Sequence, residues 1–310
     1  MLSIADRALI AEAARVLENP SFLLRASDML GKPAESLMKR LPGPAQRSLS
    51  KAVQGSLNRA LHLAIASLDV PTPGLAPVTA AGSDVDASSA VARTFRHSQW
   101  HTAASAATGF AGGFFGLAGL SVELPVTTGL MLRSIAAIAR ELGEDLGDPA
   151  VRLECLSVLA LGSKVAAPID AAFVDDAGQP LDATGHGDSA YWTARIGMAM
   201  AIRSAARYAA GLSAAEVARA MAEGSAPLLA KLVAMIAARF QVVVSEKTLA
   251  QALPVIGAAS GAALNAAFAD HFNKVARLHF GLRRLERSHG TAAVRAAYLG
   301  VVEAQRVPNR

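Results

Sequence analysis

A single cysteine in 310 residues excludes an intramolecular disulfide. Cys155 lies in the apolar run 153–161, the setting of an inert core thiol rather than a nucleophile. Aromatic residues make up 5% of the chain, and alternating runs of β-branched residues are scarce, so a large sheet is not expected. Asp6, Arg7, Glu12 and Arg15 interrupt the first residues, leaving no signal-peptide apolar region. A reducing, cytoplasmic setting is the expectation. There is no G-x-S-x-G elbow, no Walker loop and no G-x-G-x-x-G after a strand. Gly185-His186-Gly187-Asp188-Ser189 places Ser, His and Asp in one stretch, but triads are assembled by the fold rather than by adjacency.

What the chain does have is apolar content of 52%, led by alanine, the residue with the highest helix propensity. Apolar residues recur at helical spacing along most of the chain, which predicts an all-α, multi-helix globular bundle and one domain over 1–310. Helices are expected over an opening amphipathic stretch, then about 45–68, 89–105, 108–121, 125–142, 149–166, 190–210, 213–222, 225–239, 245–252, 254–269, 270–286 and 290–303. Asn19-Pro20-Ser21 ends the first helix, with Ser21 a candidate N-cap, and Leu41-Pro42-Gly43-Pro44 is a hard break. Residues 70–89 and 170–189 read as surface loops, rich in proline, glycine and small polar residues or in acids.

Two glycine-bearing apolar segments stand out. Residues 102–122 carry no charge and have about the length of a bilayer span. Within them Gly109, Gly112, Gly113, Gly116 and Gly119 step by three or four, sharing one helical face. After Pro254, Gly257, Gly261 and Asn265 repeat at spacing four. Glycine costs roughly 1 kcal/mol against alanine in a helix, so such faces need close packing to compensate. Closely packed central helices of a soluble bundle are expected, with entry into a membrane as the alternative.

These segments resemble the EcsC family, named for a gene beside an ABC transporter operon. The resemblance rests on the glycine-rich helix running into Glu123-Leu124-Pro125, then Leu132-Arg133 and Glu141-Leu142-Gly143. It continues through Pro254-Val255-Ile256-Gly257, Gly261 and Asn265 to Ala276, Phe280, Arg283 and Leu285-Glu286. It covers about 90–286, and more weakly 20–68. The position before Leu124-Pro125, often aspartate in the family, is glutamate here. The resemblance implies a helical protein and an association with membrane transport or secretion; it brings no established reaction.

Candidate sites follow from charge in unusual places. Glu123 precedes Pro125 at an expected helix start, and Arg133 lies in an apolar stretch, so a buried ion pair between them is expected, with Arg133 as a lipid-phosphate anchor in the alternative. Acids dominate 141–188 and bases dominate from Lys274 onward; both read first as solvated faces. Within the basic region Arg277, Arg284 and Arg287 fall along one helical side and could meet an anionic membrane. His97 and His101 share a helical face, but without the glutamate of an HExxH motif or a marked third ligand they read as packing residues. Asp170, Asp175, Asp176, Asp182, His186 and Asp188 cluster without EF-hand spacing. No catalytic residue, metal or cofactor is expected, and no nucleic acid. The leading expectation is a non-enzymatic protein at the cytoplasmic face of the inner membrane. Its partners would be an anionic membrane surface or a membrane transport protein. The alternative is a metal-assisted hydrolase using the acidic loop or His97 and His101.

Overall fold

Short polar residues start the helices where the sequence supplies them. Ser3 accepts from the Asp6 N–H at 3.1 Å while Asp6 accepts from the Ser3 N–H at 2.8 Å, a reciprocal cap on α1 (Ile4–Leu17). Asp148 caps α4 (Pro149–Leu161), whose first residue is a proline with no N–H to satisfy. Ser189 caps α5 (Ala190–Ala209), and Ser213 with Glu216 repeats the reciprocal cap on α6 (Ala214–Ala222). The remaining helices are α2 (Gly43–Ala66), α3 (Gly116–Glu141), α7 (Pro227–Gln251), α8 (Ala258–His289) and α9 (Thr291–Arg306). The computed structural model describes residues 2–18, 20, 43–66, 116–163, 189–251 and 258–306, with backbone alone at 43–45, 66, 116–122, 249–251 and 258–263. Among the described residues there are helices and no strands, so the all-α expectation holds.

α8 is the axis of the assembly and packs against α1, α3, α4, α7 and α9. α2 lies along α3 and also touches α4, α6 and α7. One contiguous apolar core runs from Ile10 in α1 to Val302 in α9. At its centre Phe240 of α7 meets Phe268 and Phe272 of α8, with ring centroids 5.2–6.1 Å apart. Such offset and edge-on contacts add to the area each ring buries.

Three expected breaks are absent. The stretches 225–239 and 245–252 form one helix, α7, because Phe240, Val243 and Val244 continue its buried face through the valine run. Packing overrides the modest helix propensity of β-branched residues there. Likewise the described part of 254–269, from Ala258, and 270–286 join in α8, where Asp270 is exposed while His271 and Phe272 are buried. Pro125 sits inside α3 rather than at its start, so the helix expected from 125 begins at Gly116 and includes Gly119. Gly109, Gly112, Gly113, Gly257, Ser21, His97, His101 and both surface loops up to Asp188 lie outside the described residues.

Helices approach closely at two other glycines. A Cβ at Gly162 would stand 2.7 Å from Phe272 Cε1 and 3.0 Å from His271 Nε2, both in buried side chains. Gly281 places α8 against Leu9 of α1, with 3.1 Å left for a Cβ. By contrast, nothing lies within 4 Å of a Cβ at Gly55 in α2. Gly162→Ala is expected to lower stability by about 1–3 kcal/mol through overpacking, and Gly55→Ala to raise it by roughly 0.5–1 kcal/mol. Thermal melting of the two variants checks this; a neutral Gly162→Ala would mean that the Phe272 contact is slack.

Candidate functional site

α8 carries His279, Arg283, Glu286 and Arg287 along its last turns, and each of these four finds a partner on another element. His279 and Arg283 stand four residues apart, with Glu286 and Arg287 completing the next turn. His279 Nε2 lies 2.9 Å from Glu154 Oε1 of α4, and its Nδ1 lies 2.9 Å from the Tyr191 hydroxyl of α5. Tyr191, Glu154 and His279 are all buried, at 2%, 5% and 0% exposure. Burial pushes the imidazole below its ordinary range, and the hydrogen bond and charge of Glu154 do not fully offset that. Burial also works to raise the Glu154 carboxyl, but His279 and then Arg283 and Arg195 outweigh it, so the carboxyl is held low. The consistent state is a neutral imidazole that accepts from the Tyr191 O–H and donates Nε2–H to an ionised Glu154.

Next along α8, Arg283 grips Glu144 with two parallel hydrogen bonds of 2.8 Å, and its Nη1 is 3.9 Å from Glu154 Oε2. Arg287 also bonds Glu144 and donates to the Leu142 carbonyl at 2.6 Å. The turn that brings Glu144 there uses Gly143 at φ +83°, and a Cβ on it would stand 3.4 Å from the Arg287 guanidinium. Burial works to raise the Glu144 carboxyl, and the two arginines overcome it and hold it low. Arg195 of α5 makes a bidentate pair with Glu286 at 2.7 and 2.5 Å and stacks 4.7 Å over the Trp192 ring. At the start of α5 the Glu18 carboxylate accepts from Ser189, from the Ala190 N–H at 2.9 Å and from Tyr298 at 3.1 Å. Tyr191, Trp192 and Tyr298 pack ring against ring beside it.

A second buried pair joins α3 to α7. Lys247 Nζ sits 2.7 Å from Glu123 Oε1, at 0% and 5% side-chain exposure, and 4.9 Å above the Phe268 ring. Burial lowers the Lys247 ammonium, opposed by the charge and hydrogen bond of Glu123. Farther along the α3–α8 seam, Ser134 donates to Asn273 at 2.8 Å, and His271 bonds the Gly162 carbonyl at 2.8 Å.

The sequence-expected residues are placed as follows. Glu123 is buried and ion-paired, but with Lys247; Arg133 stands exposed on the outside of α3, which corrects the expected Glu123–Arg133 pair. The exposed row of Arg277, Arg284 and Arg287 does not form as such. Arg277 is buried and 3.7 Å from Asp270, Arg284 is half-buried, and Arg287 is engaged with Glu144 and Leu142. The acids Glu144 and Glu154, read as part of a solvated stretch, are buried partners of α8. Asn265 is buried, and Gly261 lies in α8. Among the described residues no group of three or more His, Cys, Asp or Glu could hold a metal. Cys155 is buried, its thiol pushed far up by burial beside Glu154 and Glu144.

Sequence reasoning missed the Tyr191–His279–Glu154 relay and Lys247. For Glu154 the available signal was a charge inside the apolar run 153–161, because such residues are rarely fully buried unless paired; Lys247, between Ser245-Glu246 and Thr248, gave no such signal. In order, the relay matches a hydroxyl, a base and an orienting carboxylate. Its hydroxyl, however, is buried and its proton is held more tightly than in free tyrosine, chiefly by burial. The relay therefore ties α4, α5 and α8 in one register.

Lys247→Met is expected to cost about 3–5 kcal/mol, because it leaves Glu123 buried and unpaired. Adding Glu123→Gln should recover much of that loss. A double-mutant cycle by urea unfolding checks it, and additive losses would mean that the pair is not coupled. Acid stability should fall in two stages. Folded His279, with its affinity for protons lowered, resists protonation, whereas the unfolded imidazole takes a proton near pH 6.5; stability is full above that value and declines below it. Glu144 and Glu154, held low, contribute stability that begins to fall once pH drops below the ordinary carboxylate value and is lost as it passes through their folded values. In melting temperatures from pH 8 to about 3, His279→Gln should flatten the first stage and keep the part of the second that comes from Glu144. An unchanged slope between pH 7 and 5 would show that the folded imidazole is not held neutral.

Comparison with curated proteins and with solved structures gives no match. A family profile, described as the EcsC protein family, matches residues 10–285 and so takes in the Tyr191–His279–Glu154, Arg283–Glu144 and Lys247–Glu123 contacts, while Glu286, Arg287 and Tyr298 lie past its end. Glu123, Asn265, Arg283 and Glu286, which carried the resemblance in the sequence, are buried or ion-paired where helices meet. With most of its length matched, the chain belongs to the EcsC protein family.

Proposed function

We propose that this chain is a non-enzymatic helical protein that acts at the cytoplasmic face of the membrane, peripheral to the inner membrane, binding lipid or a membrane transport or secretion partner. The observation that carries the reading is Arg133. It is exposed on α3, seven residues from an exposed Val126, and has no ion-pair partner among the described residues. A cation left outside a fold that pairs so many of its other charges is available to an anionic group.

A second support is α7. Its segment Pro227–Thr248 is long and apolar enough to cross a membrane, and half of it is buried inside the fold. Leu228, Ala234 and Ala238 on its outer side are exposed, with Met235 and Val242 half-buried between them. Glu246 and the buried Lys247–Glu123 pair near its end suit a helix seated in protein rather than one surrounded by lipid. That combination supports a peripheral association over an integral one.

The test is fractionation of the expressed full chain. The protein should sediment with membranes at low salt and be released by salt or carbonate. Recovery wholly in the soluble fraction at low salt would overturn the membrane reading, and retention through carbonate would mean integral insertion.

A further inference from the structure

The outer faces of α2 and α3 carry charges that nothing described inside the fold uses. α2 contains no aspartate or glutamate. Its Arg47, Lys51 and Arg59 are exposed, spaced four and eight residues apart, opposite the buried Leu49, Val53, Leu57 and Leu61. Gly55 lies between Lys51 and Arg59 and leaves the surface open there. On α3, Val126, Arg133 and Arg140 are exposed at seven-residue intervals, two turns apart along one side. None of these five cations has an ion-pair partner among the described residues. Glu141, exposed beside Arg140, offsets charge at that end.

The two faces share an edge. Leu63 Cδ1 of α2 stands 3.4 Å from where a Cβ on Gly129 of α3 would be, and both residues are half-buried. Arg59 is one turn from Leu63, and Arg133 is one turn from Gly129, so cations flank the seam on both helices. From Arg47 to Arg59 the helix advances about 18 Å. A spread row of separate cations suits an extended anionic surface better than a small ligand.

Resting on the reading that the protein works at a membrane, we propose that the joined outer faces of α2 and α3 are its docking surface, and that the occupant is an anionic lipid bilayer. The cations supply complementary charge, with long stems that lie along apolar surface while their heads reach phosphate. Val126, 47% exposed, and the half-buried Leu63 and Leu130 lie among those cations. A bilayer interface rewards such apolar groups, and the phosphates of a nucleic-acid duplex do not. Single-stranded nucleic acid is bound on aromatic platforms, whereas among the described residues no aromatic side chain is exposed.

The test is sedimentation of the full chain with vesicles of phosphatidylcholine alone or mixed with phosphatidylglycerol. Three proteins are compared: wild type, the variant Lys51→Glu, Arg59→Glu, Arg133→Glu, and a control with the same charge change at Arg7→Glu, Arg15→Glu, Arg203→Glu, which are exposed on α1 and α5. Melting temperature confirms folding, and Lys51→Gln, Arg59→Gln, Arg133→Gln stands in if reversal disturbs it. Wild type should bind the anionic vesicles at low salt and be released by high salt. The face variant should bind at least about tenfold more weakly, and the control less than about threefold, since each lost contact near the surface carries a several-fold effect. Equal weakening of face variant and control, or no weakening of either, overturns the assignment to this face and leaves the membrane reading standing. If wild type ignores anionic vesicles even at low salt, the assignment and the membrane reading fall together. Tighter binding of a short DNA duplex than of anionic vesicles at the same salt would show that the occupant is wrong.

Discussion

Charge neutralisation along α8 is the constraint on which the rest of the arrangement depends. Arg283 holds Glu144 through two parallel hydrogen bonds and stands close to Glu154, which in turn receives His279. A carboxylate taken out of water is costly unless its lone pairs are met by donors with good geometry. The turn after α3, the middle of α4 and the first turn of α5 are each tied by a side chain whose partner lies on α8. Arg195 with Glu286 closes the same set from α5. Such pairs are weak evidence for net stability, since a well-packed apolar substitute could do as well. What they do set is register, because sliding α8 by one turn would leave several buried charges unmatched.

The same bookkeeping explains the surface. On α8, Lys274 is paired with Glu12, Arg277 with Asp270, and Arg283 and Arg287 with Glu144, so most of the positive charge in this arginine-rich region is already engaged. Exposed cations without an ion-pair partner among the described residues lie on several helices, and five of them fall on α2 and α3, two helices that pack along one another. The membrane hypothesis therefore moves from the C-terminal helices to a different pair, and Arg133 is the residue common to both versions.

Among the described residues, two glycines have distinct parts. Gly143 is needed because the chain turns with positive φ to present Glu144, and Gly162 because Phe272 and His271 occupy the space of its side chain. The first is a backbone requirement and the second a packing requirement. Neither belongs to the glycine-rich repeats that drew attention in the sequence.

Helical class, most helix positions and family were readable from the chain itself, because helical spacing of alanine and leucine is a local signal. The EcsC resemblance was readable because its motif residues occur in order along the chain, and the residues in it proved to be largely paired or buried ones. Where α7 and α8 run on was not readable: the valine run 242–244 and Asp270 look like interruptions until Phe240, Val243 and Phe272 are seen to bury on one side. Nor could sequence spacing say that Glu123 meets Lys247, 124 positions away, rather than Arg133, ten away. Helical periodicity fixes which residues share a face; which face meets which, and therefore which charges are neutralised and which remain outside, is decided when the helices pack.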